Sequence, residues 1–253
     1  MSQPFVLLQL SDFHLGATWA EGDARELLAE TIEWIRVHGP KPDAVLVSGD
    51  LVDHGTDDEY AQVGELLELL SAPVHVLPGN HDDRSALRRR FDLPGADAEP
   101  VQYAADVGPL RLVAVDTTRP GEDGGQLDEN RLAWLEEVLA ADQGTPTVVA
   151  MHHPPLATGV SGWDEIVLPP PDRLALARVV ERHPQVERIV AGHLHRTLVG
   201  AIGGRSVLVV PSTYVQGQLD FAASQVPLSS ERPGFAVHAM IDGELASYVQ
   251  GVP

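Results

Sequence analysis

Apolar stretches and helical patterns alternate along the first third of the chain. The predicted elements are a strand from Phe5 to Leu10, a helix from Arg25 to Val37, a strand from Ala44 to Val47, a helix from Asp58 to Leu70 capped by Asp57, and a strand from Val74 to Leu77. This alternation favours parallel strands joined by helical crossovers. Because ligands collect at the carboxyl ends of such strands, we expect the polar loops after the three strands to open on one edge of a sheet.

The remainder of the chain is richer in strand patterns. The predicted strands are Val101 to Ala105, Arg111 to Val115, Thr147 to Met151, Ile189 to Ala191, Leu198 to Ile202, Val207 to Val210, Phe235 to Met240 and Leu245 to Val249. Helices are predicted after Asp128 and from Leu174 to His183. The Gly- and Pro-rich stretch 155–171 reads as an ordered loop. Since no repeat, low-complexity tract or linker interrupts the pattern, we predict a single domain over residues 1–253.

Composition narrows the classes of function. The 253 residues include no cysteine, which excludes disulfides, thiolate metal sites and a thiol nucleophile. The formal net charge of −20 at pH 7 repels nucleic-acid backbones and anionic membranes, so we expect neither as a partner. The chain shows no signal-peptide pattern and no apolar stretch long enough to cross a bilayer. These features predict a cytoplasmic protein.

Candidate chemistry lies at the ends of the predicted strands. Asp50 follows Gly49 at the end of the second strand, where a buried carboxylate needs a metal or a cation as a partner. Five of the eleven histidines follow predicted strands in the same way, namely His14, His81, His152, His193 and His195. Asp12 and His14, like the last two histidines, are spaced so that both side chains of an extended segment point to one face.

These residues supply more donors than one ion needs. The predicted metal ligands are Asp12, His14, Asp50, Asn80, His152, His193 and His195. Seven donors suit two ions if Asp50 bridges them. Imidazole and carboxylate ligands fit Zn, Mn, Fe, Co or Ni, in the divalent or trivalent state, and the residues do not choose among these metals. Two such ions would activate water and clamp the oxygens of a phosphoryl group.

Five motifs in order resemble those of the calcineurin-like metallophosphoesterases. They are Asp12-x-His14, Gly49-Asp50, Gly79-Asn80-His81-Asp82, His152-x-Pro154 and Gly192-His193-x-His195. Within that family the chain most resembles the bacterial class III cyclic-nucleotide phosphodiesterases and the related glycerophosphodiesterases. The resemblance implies an α/β fold in which two mixed β-sheets pack as a sandwich flanked by helices.

The resemblance also implies roles for single residues. One ion would be held by Asp12, His14, Asp50 and His195, and the other by Asp50, Asn80, His152 and His193. His81 would contact the phosphate and protonate the leaving group, so that His81 and Asp50 are the predicted catalytic residues and Asn80 and His81 the predicted substrate-binding residues. Relatives often assemble as dimers or larger homo-oligomers, for which the stretch 212–233 is the candidate segment, either in assembly or as a C-terminal cap.

The function implied is hydrolysis of a small phosphodiester by in-line attack of a hydroxide that bridges the two metals. We expect 3′,5′-cyclic nucleotides such as cAMP as the first substrate class. A glycerophosphodiesterase, a broad-specificity phosphodiesterase or phosphomonoesterase, and an inactive metal-binding scaffold remain as alternatives. Specificity is expected in the loops 155–171 and 212–233.

Neighbouring polar residues allow simpler interpretations. Asp53 is a candidate to hydrogen-bond a ligand histidine. His153 is not predicted to be a metal ligand. Asp82 and Asp83 are predicted to cap the helix that begins near Arg84. The run 88–90, three arginines, is predicted to be a solvated helix face.

Overall fold

The computed structural model describes residues 3–223 and 225–253. The predicted segment 212–233 therefore includes one residue, 224, that lies outside the described part. The helices in this part are α1 (Ala24–His38), α2 (Asp57–Glu68), α3 (Arg84–Phe91), α4 (Glu129–Ala141), α5 (Ser161–Asp164) and α6 (Pro170–Glu181). Among the described residues, no helix is long and apolar enough to cross a membrane.

Side-chain caps decide where several helices begin. Thr56, not the predicted Asp57, caps α2: its hydroxyl accepts from the backbone N–H of Glu59, whose carboxylate accepts in turn from the Thr56 N–H. This reciprocal pair satisfies two backbone donors that the first helical turn leaves unpaired. Asp83 caps α3 as predicted, whereas Asp82 makes no cap.

The strands form two mixed sheets and one small hairpin. They are β1 (Phe5–Leu10), β2 (Ala44–Val47), β3 (Val74–Val76), β4 (Tyr103–Val107), β5 (Leu110–Ala114), β6 (Thr147–Ala150), β7 (Val186–Ala191), β8 (Leu198–Ile202), β9 (Arg205–Val209), β10 (Gln216–Gly217), β11 (Leu228–Ser229), β12 (Gly234–Ile241) and β13 (Glu244–Gly251). One sheet has the order β13-β12-β1-β2-β3 and the other the order β4-β5-β6-β7-β9-β8. The pairs β1–β2 and β2–β3 are parallel, as the alternation predicts. In the second sheet β5–β6 and β6–β7 are parallel as well.

The two sheets pack face to face between two helical layers. Along β1, Leu8 and Leu10 face a core shared with α1 and α2, whereas Leu7 faces a second core that it shares with Leu112 of β5 and Val148 of β6. A third core lies between the second sheet and the helices α4 and α6. The predicted fold class, a sandwich of two mixed sheets flanked by helices, is confirmed.

Candidate metal centre

All seven predicted ligands lie in the loops that follow five strand ends. β1 leads to Asp12 and His14, β2 to Asp50, β3 to Asn80, β6 to His152, and β7 to His193 and His195. Five of these residues have left-handed backbone conformations, with φ of 57° at Asp12, 48° at His14, 51° at Asp50, 72° at His193 and 49° at His195. Non-glycine residues adopt this conformation at a cost, which a site that needs their side chains can impose.

Asp50 lies at the centre of the arrangement. Its Oδ2 is 3.5 Å from Nε2 of His14 and 3.3 Å from Nε2 of His152, and its Oδ1 accepts a 2.9 Å hydrogen bond from the backbone N–H of His81. The side chain is 2% exposed. One carboxylate thus separates two groups of donors.

The first group contains Asp12, His14 and His195. Nε2 of His14 and Nε2 of His195 are 3.0 Å apart, and the second of these lies 3.6 Å from Oδ1 of Asp12. The Asp12 carboxylate also accepts from the backbone N–H of His193 at 3.0 Å, which ties the loop after β1 to the loop after β7. Ligand-capable atoms of these three residues lie within 4.8 Å of one another.

The second group contains Asn80, His152 and His193. Nε2 of His152 is 3.1 Å from Oδ1 of Asn80 and 3.1 Å from Nδ1 of His193. Both histidines are buried, since their residues are 0% and 8% exposed. Together with Asp50, these residues offer oxygen and nitrogen donors to one point.

Each ligand histidine has its outward nitrogen bonded to an acceptor. Nδ1 of His14 donates to Asp53, Nδ1 of His152 to the Ser48 carbonyl, Nε2 of His193 to the Ile166 carbonyl, and Nδ1 of His195 to the Val215 carbonyl. In a neutral ring the other nitrogen then carries a lone pair that points inward. In each of the two groups, the lone pairs of two histidines face each other, and a cation between them would remove their repulsion. Metal-binding histidines commonly have their other nitrogen hydrogen-bonded in this way. The donor set therefore fits a pair of metal ions.

Burial and charge shift the pKa values of the predicted ligand histidines in opposite directions. Burial lowers the pKa of His195 to about 4 and that of His193 well below its ordinary value. For His152, burial lowers the pKa, but the negative charge of Asp50 outweighs it and raises the value to about 9. Metal binding must therefore displace a proton from His152, so the affinity for metal depends on pH.

Asp53 connects several parts of the site. Its Oδ1 accepts from Nδ1 of His14 at 3.2 Å and from the indole N–H of Trp19 at 3.0 Å. Nδ1 of His81 lies 3.2 Å from the same Oδ1 and hydrogen-bonds the backbone carbonyl of Asp53 at 3.4 Å. The hydrogen bond to a ligand histidine considered from the sequence is thus present. One carboxylate orients a ligand, the predicted acid and an aromatic side chain.

His81 differs from the ligand histidines in its exposure. Its side chain is 33% exposed, and its ring packs edge-on against His14 with centroids 4.7 Å apart. With Nδ1 engaged by Asp53, Nε2 remains for a bound substrate. The position suits a group that transfers a proton at the edge of the centre.

His153 is buried beside the ligands but has both nitrogens occupied. The Thr117 hydroxyl is 2.8 Å from its Nδ1, and its Nε2 is 3.1 Å from the Asp123 carbonyl. The ring packs on that of His193 with centroids 4.5 Å apart. His153 therefore supports His193, although one of its ring nitrogens also lies within 4.8 Å of ligand-capable atoms of His152 and His193.

The predicted cap at Asp82 is wrong, and the predicted solvated arginine face is wrong at Arg88, whereas the Arg89 side chain is 61% exposed as predicted. Asp82 is half-buried and supports the ligand loops, because its carboxylate accepts from the N–H of Gly79 at 2.8 Å and from the Tyr60 hydroxyl at 2.9 Å. Arg88 is 7% exposed and donates to backbone carbonyls between residues 94 and 100. It anchors the loop after α3 and does not form the solvated face that the arginine run suggests.

The two loops without motifs both contact the centre. The stretch 155–171 contains α5 and the start of α6, and supplies the Ile166 carbonyl to His193. The stretch 212–233 supplies the Val215 carbonyl to His195. Its predicted role in oligomer assembly stays a prediction.

Comparison with known families gives one match over most of the chain. The family described as calcineurin-like phosphoesterase matches residues 5–197. The chain is 33% identical to the glycerophosphodiester phosphodiesterase GpdQ of Enterobacter lignolyticus, over 82% of this chain and 76% of that protein. It is also 33% identical to a cAMP/cGMP dual specificity phosphodiesterase of Mycobacterium tuberculosis, over 87% and 70% of the two chains. A 3′,5′-cyclic adenosine monophosphate phosphodiesterase, CpdA, of Pseudomonas aeruginosa is 31% identical over 87% and 82%.

Solved structures share the architecture. A dimetal phosphatase from Danio rerio superposes with a TM-score of 0.71 at 16% identity, covering 99% of this chain and 98% of that one. At this identity the likeness concerns the fold alone.

Proposed function

We propose that this chain hydrolyses 3′,5′-cyclic nucleotides at a centre of two metal ions. The premise is that the chain belongs to the calcineurin-like phosphoesterase family and is a metal-dependent phosphodiesterase. One ion is held by Asp12, His14, Asp50 and His195. The other is held by Asp50, Asn80, His152 and His193. Family membership and the relatives' names support a dimetal centre and a small phosphodiester substrate.

The central position of Asp50 is the observation that carries the proposal. Its carboxylate lies within 3.5 Å of a histidine from each group of donors. Each group supplies three side chains of its own, and Asp50 would be the fourth ligand in both. A shared carboxylate would complete both sets, and two ions held by these residues would supply the chemistry of two-metal phosphoryl transfer.

The two ions, when bound, activate the attacking water and neutralise charge on the phosphoryl oxygens. The chain's own residues perform the remaining steps. Asn80 orients the substrate phosphate next to His152. His81 donates the proton at Nε2 to the departing alkoxide, while Asp53 holds its ring through Nδ1. Positioned general acids of this kind contribute about 10²–10⁴-fold to rate.

We place cyclic nucleotides first and glycerophosphodiesters second among the candidate substrates. Relatives of both activities are about equally similar to the chain, so identity does not decide between them. The net charge of −20 disfavours long nucleic acids, and the centre lies between loops that leave space for small molecules. Iron, manganese, zinc and cobalt all fit the donor set.

The test is turnover of cAMP, glycerophosphocholine and a phosphomonoester by protein loaded with each of these metals. We expect about two ions per chain by elemental analysis and the highest kcat/KM for cAMP. Asp50→Ala should lose both metal and activity, while Asp58→Ala, a surface change on α2, should keep both. Retained turnover in the Asp50 variant would contradict the two-metal centre.

A further inference from the structure

Two cavities border the cluster of proposed metal ligands, and they differ in chemistry. One has a volume of about 320 Å³ and lies between Trp19, Trp163, Val226 and Leu228; we call it the aromatic pocket. His193 and His195 form its floor, so it opens directly from the proposed metal ligands. Among the described residues that line it, none is Asp, Glu, Lys or Arg.

The second cavity, the polar pocket, also measures about 320 Å³ and is lined by Asn80 and His81, among others. Its walls include charged side chains, among them Asp83, Arg84 and Arg119. A substrate held at the cluster can therefore place a polar part on one side and an apolar part on the other. Pockets that bind small molecules combine these features in the same way.

The walls of the aromatic pocket are held in place before any ligand binds. Trp19 is fixed by its 3.0 Å hydrogen bond to Asp53 and packs edge-on against Tyr214, with centroids 5.4 Å apart. The Tyr214 hydroxyl donates to the Ala20 carbonyl at 3.1 Å, which closes the loop that carries Trp19. A rigid aromatic wall loses little entropy on binding.

The opposite wall is equally well supported. Trp163 on α5 is only 4% exposed, and Gly217 allows the backbone of β10 to approach its ring, since a Cβ there would lie 2.9 Å from Cζ2 of the indole. In contrast, Leu228 and Trp19 are each 45% exposed. These exposed apolar surfaces are the ones that a ligand can remove from water.

We propose that the aromatic pocket is the specificity site of the enzyme and takes the purine base of a cyclic nucleotide. This inference rests on the proposed function. A planar base gains from contact with indole and leucine surfaces, whereas the glycerol arm of a glycerophosphodiester carries hydroxyl groups that such walls cannot hydrogen-bond. The pocket thereby selects between the two substrate classes that the relatives represent.

A matched pair of variants tests the assignment. Leu228→Gln changes the pocket wall, and Leu174→Gln makes the same change on α6, where the side chain is 56% exposed and outside both pockets. We expect Leu228→Gln to raise the KM for cAMP about tenfold and to leave the KM and kcat for glycerophosphoethanolamine unchanged. The Leu174 variant should match the parent with both substrates.

The outcomes separate the two levels of the proposal. An unchanged KM for cAMP in the Leu228 variant overturns the base pocket and leaves the phosphodiesterase standing. An equal loss with both substrates, or a parent that hydrolyses only the glycerophosphodiester, also overturns it. A parent that hydrolyses neither diester refutes the proposed function itself. Inhibition by AMP relative to ribose 5-phosphate gives a second readout, and we expect the preference for AMP to fall in Leu228→Gln alone.

Discussion

Acid should destabilise this fold through a histidine that takes no part in the metal centre. His238 on β12 is fully buried between the sheets, with Nε2 2.9 Å from Oε1 of Gln9 and Nδ1 2.6 Å from the Ser247 hydroxyl. Burial, with a smaller contribution from the charge of Arg188, lowers its pKa to about 3. The folded state therefore keeps the ring neutral at pH values where the unfolded chain would protonate it.

The sign and size of the effect follow from linkage. An unfolded histidine titrates near pH 6.5, so the unfolded state binds the extra proton and stability falls as the pH drops below that value. The contribution of His238 is complete above the unfolded pKa and is lost progressively toward the folded pKa of about 3. Between about pH 7.5 and about pH 5 the loss amounts to about 2 kcal/mol.

Urea unfolding of the parent and of His238→Gln across this pH range measures the contribution of His238 to the free energy of unfolding. Glutamine keeps a donor for Gln9 and does not titrate, and every other ionisable group is common to the two proteins. The difference in unfolding free energy should therefore narrow by about 2 kcal/mol as the pH falls to about 5. Parallel curves would refute a neutral buried His238.

Three further predictions concern the residues around the centre. Asp53→Asn should lower kcat for cAMP and metal affinity by about 10–100-fold without unfolding the protein, because the orienting acceptor of a ligand histidine is weakened; kinetics and metal analysis measure this. Arg84→Met removes a buried partner of Asp116 and should lower the free energy of unfolding by about 3–5 kcal/mol, measured in urea at neutral pH. Gly49→Ala places a methyl group 2.4 Å from Nδ1 of His152 at a φ of 99°, and it should abolish metal binding. Gly121→Ala is the control, because the added atom meets nothing within 4 Å, and it should retain metal. Elemental analysis measures the metal content of both variants.

The sequence predicts the elements, and the positions of the candidate ligands at strand ends, well because both depend on local patterns. Strand β1 and strand β2 have the predicted bounds, and the residues directly after them carry the donors. The acceptors behind those donors are less visible. The carbonyls of Ile166 and Val215 come from loops far along the chain, and a backbone carbonyl leaves no mark in a sequence.

Non-local packing explains the other differences. Gln9 and His238 meet because β1 pairs with β12, a neighbour that the chain pattern does not reveal. Arg88 belongs to a run of arginines, but the loop after α3 folds back and presents its carbonyls to that one side chain. Such partners depend on the path of the chain, so residue type alone predicts them poorly.

At the predicted ligand residues with a left-handed backbone, catalysis requires aspartate or histidine, whereas stability of the fold favours glycine. Glycine adopts the φ of 51° at Asp50 or 72° at His193 without the penalty of about 1–2 kcal/mol that a side chain incurs. Substitution there would remove strain from the folded chain while deleting a donor. In evolutionary terms, a copy of this gene released from selection for hydrolysis can drift toward greater stability as it loses its metals. Only continued selection for the reaction keeps aspartate and histidine at these turns.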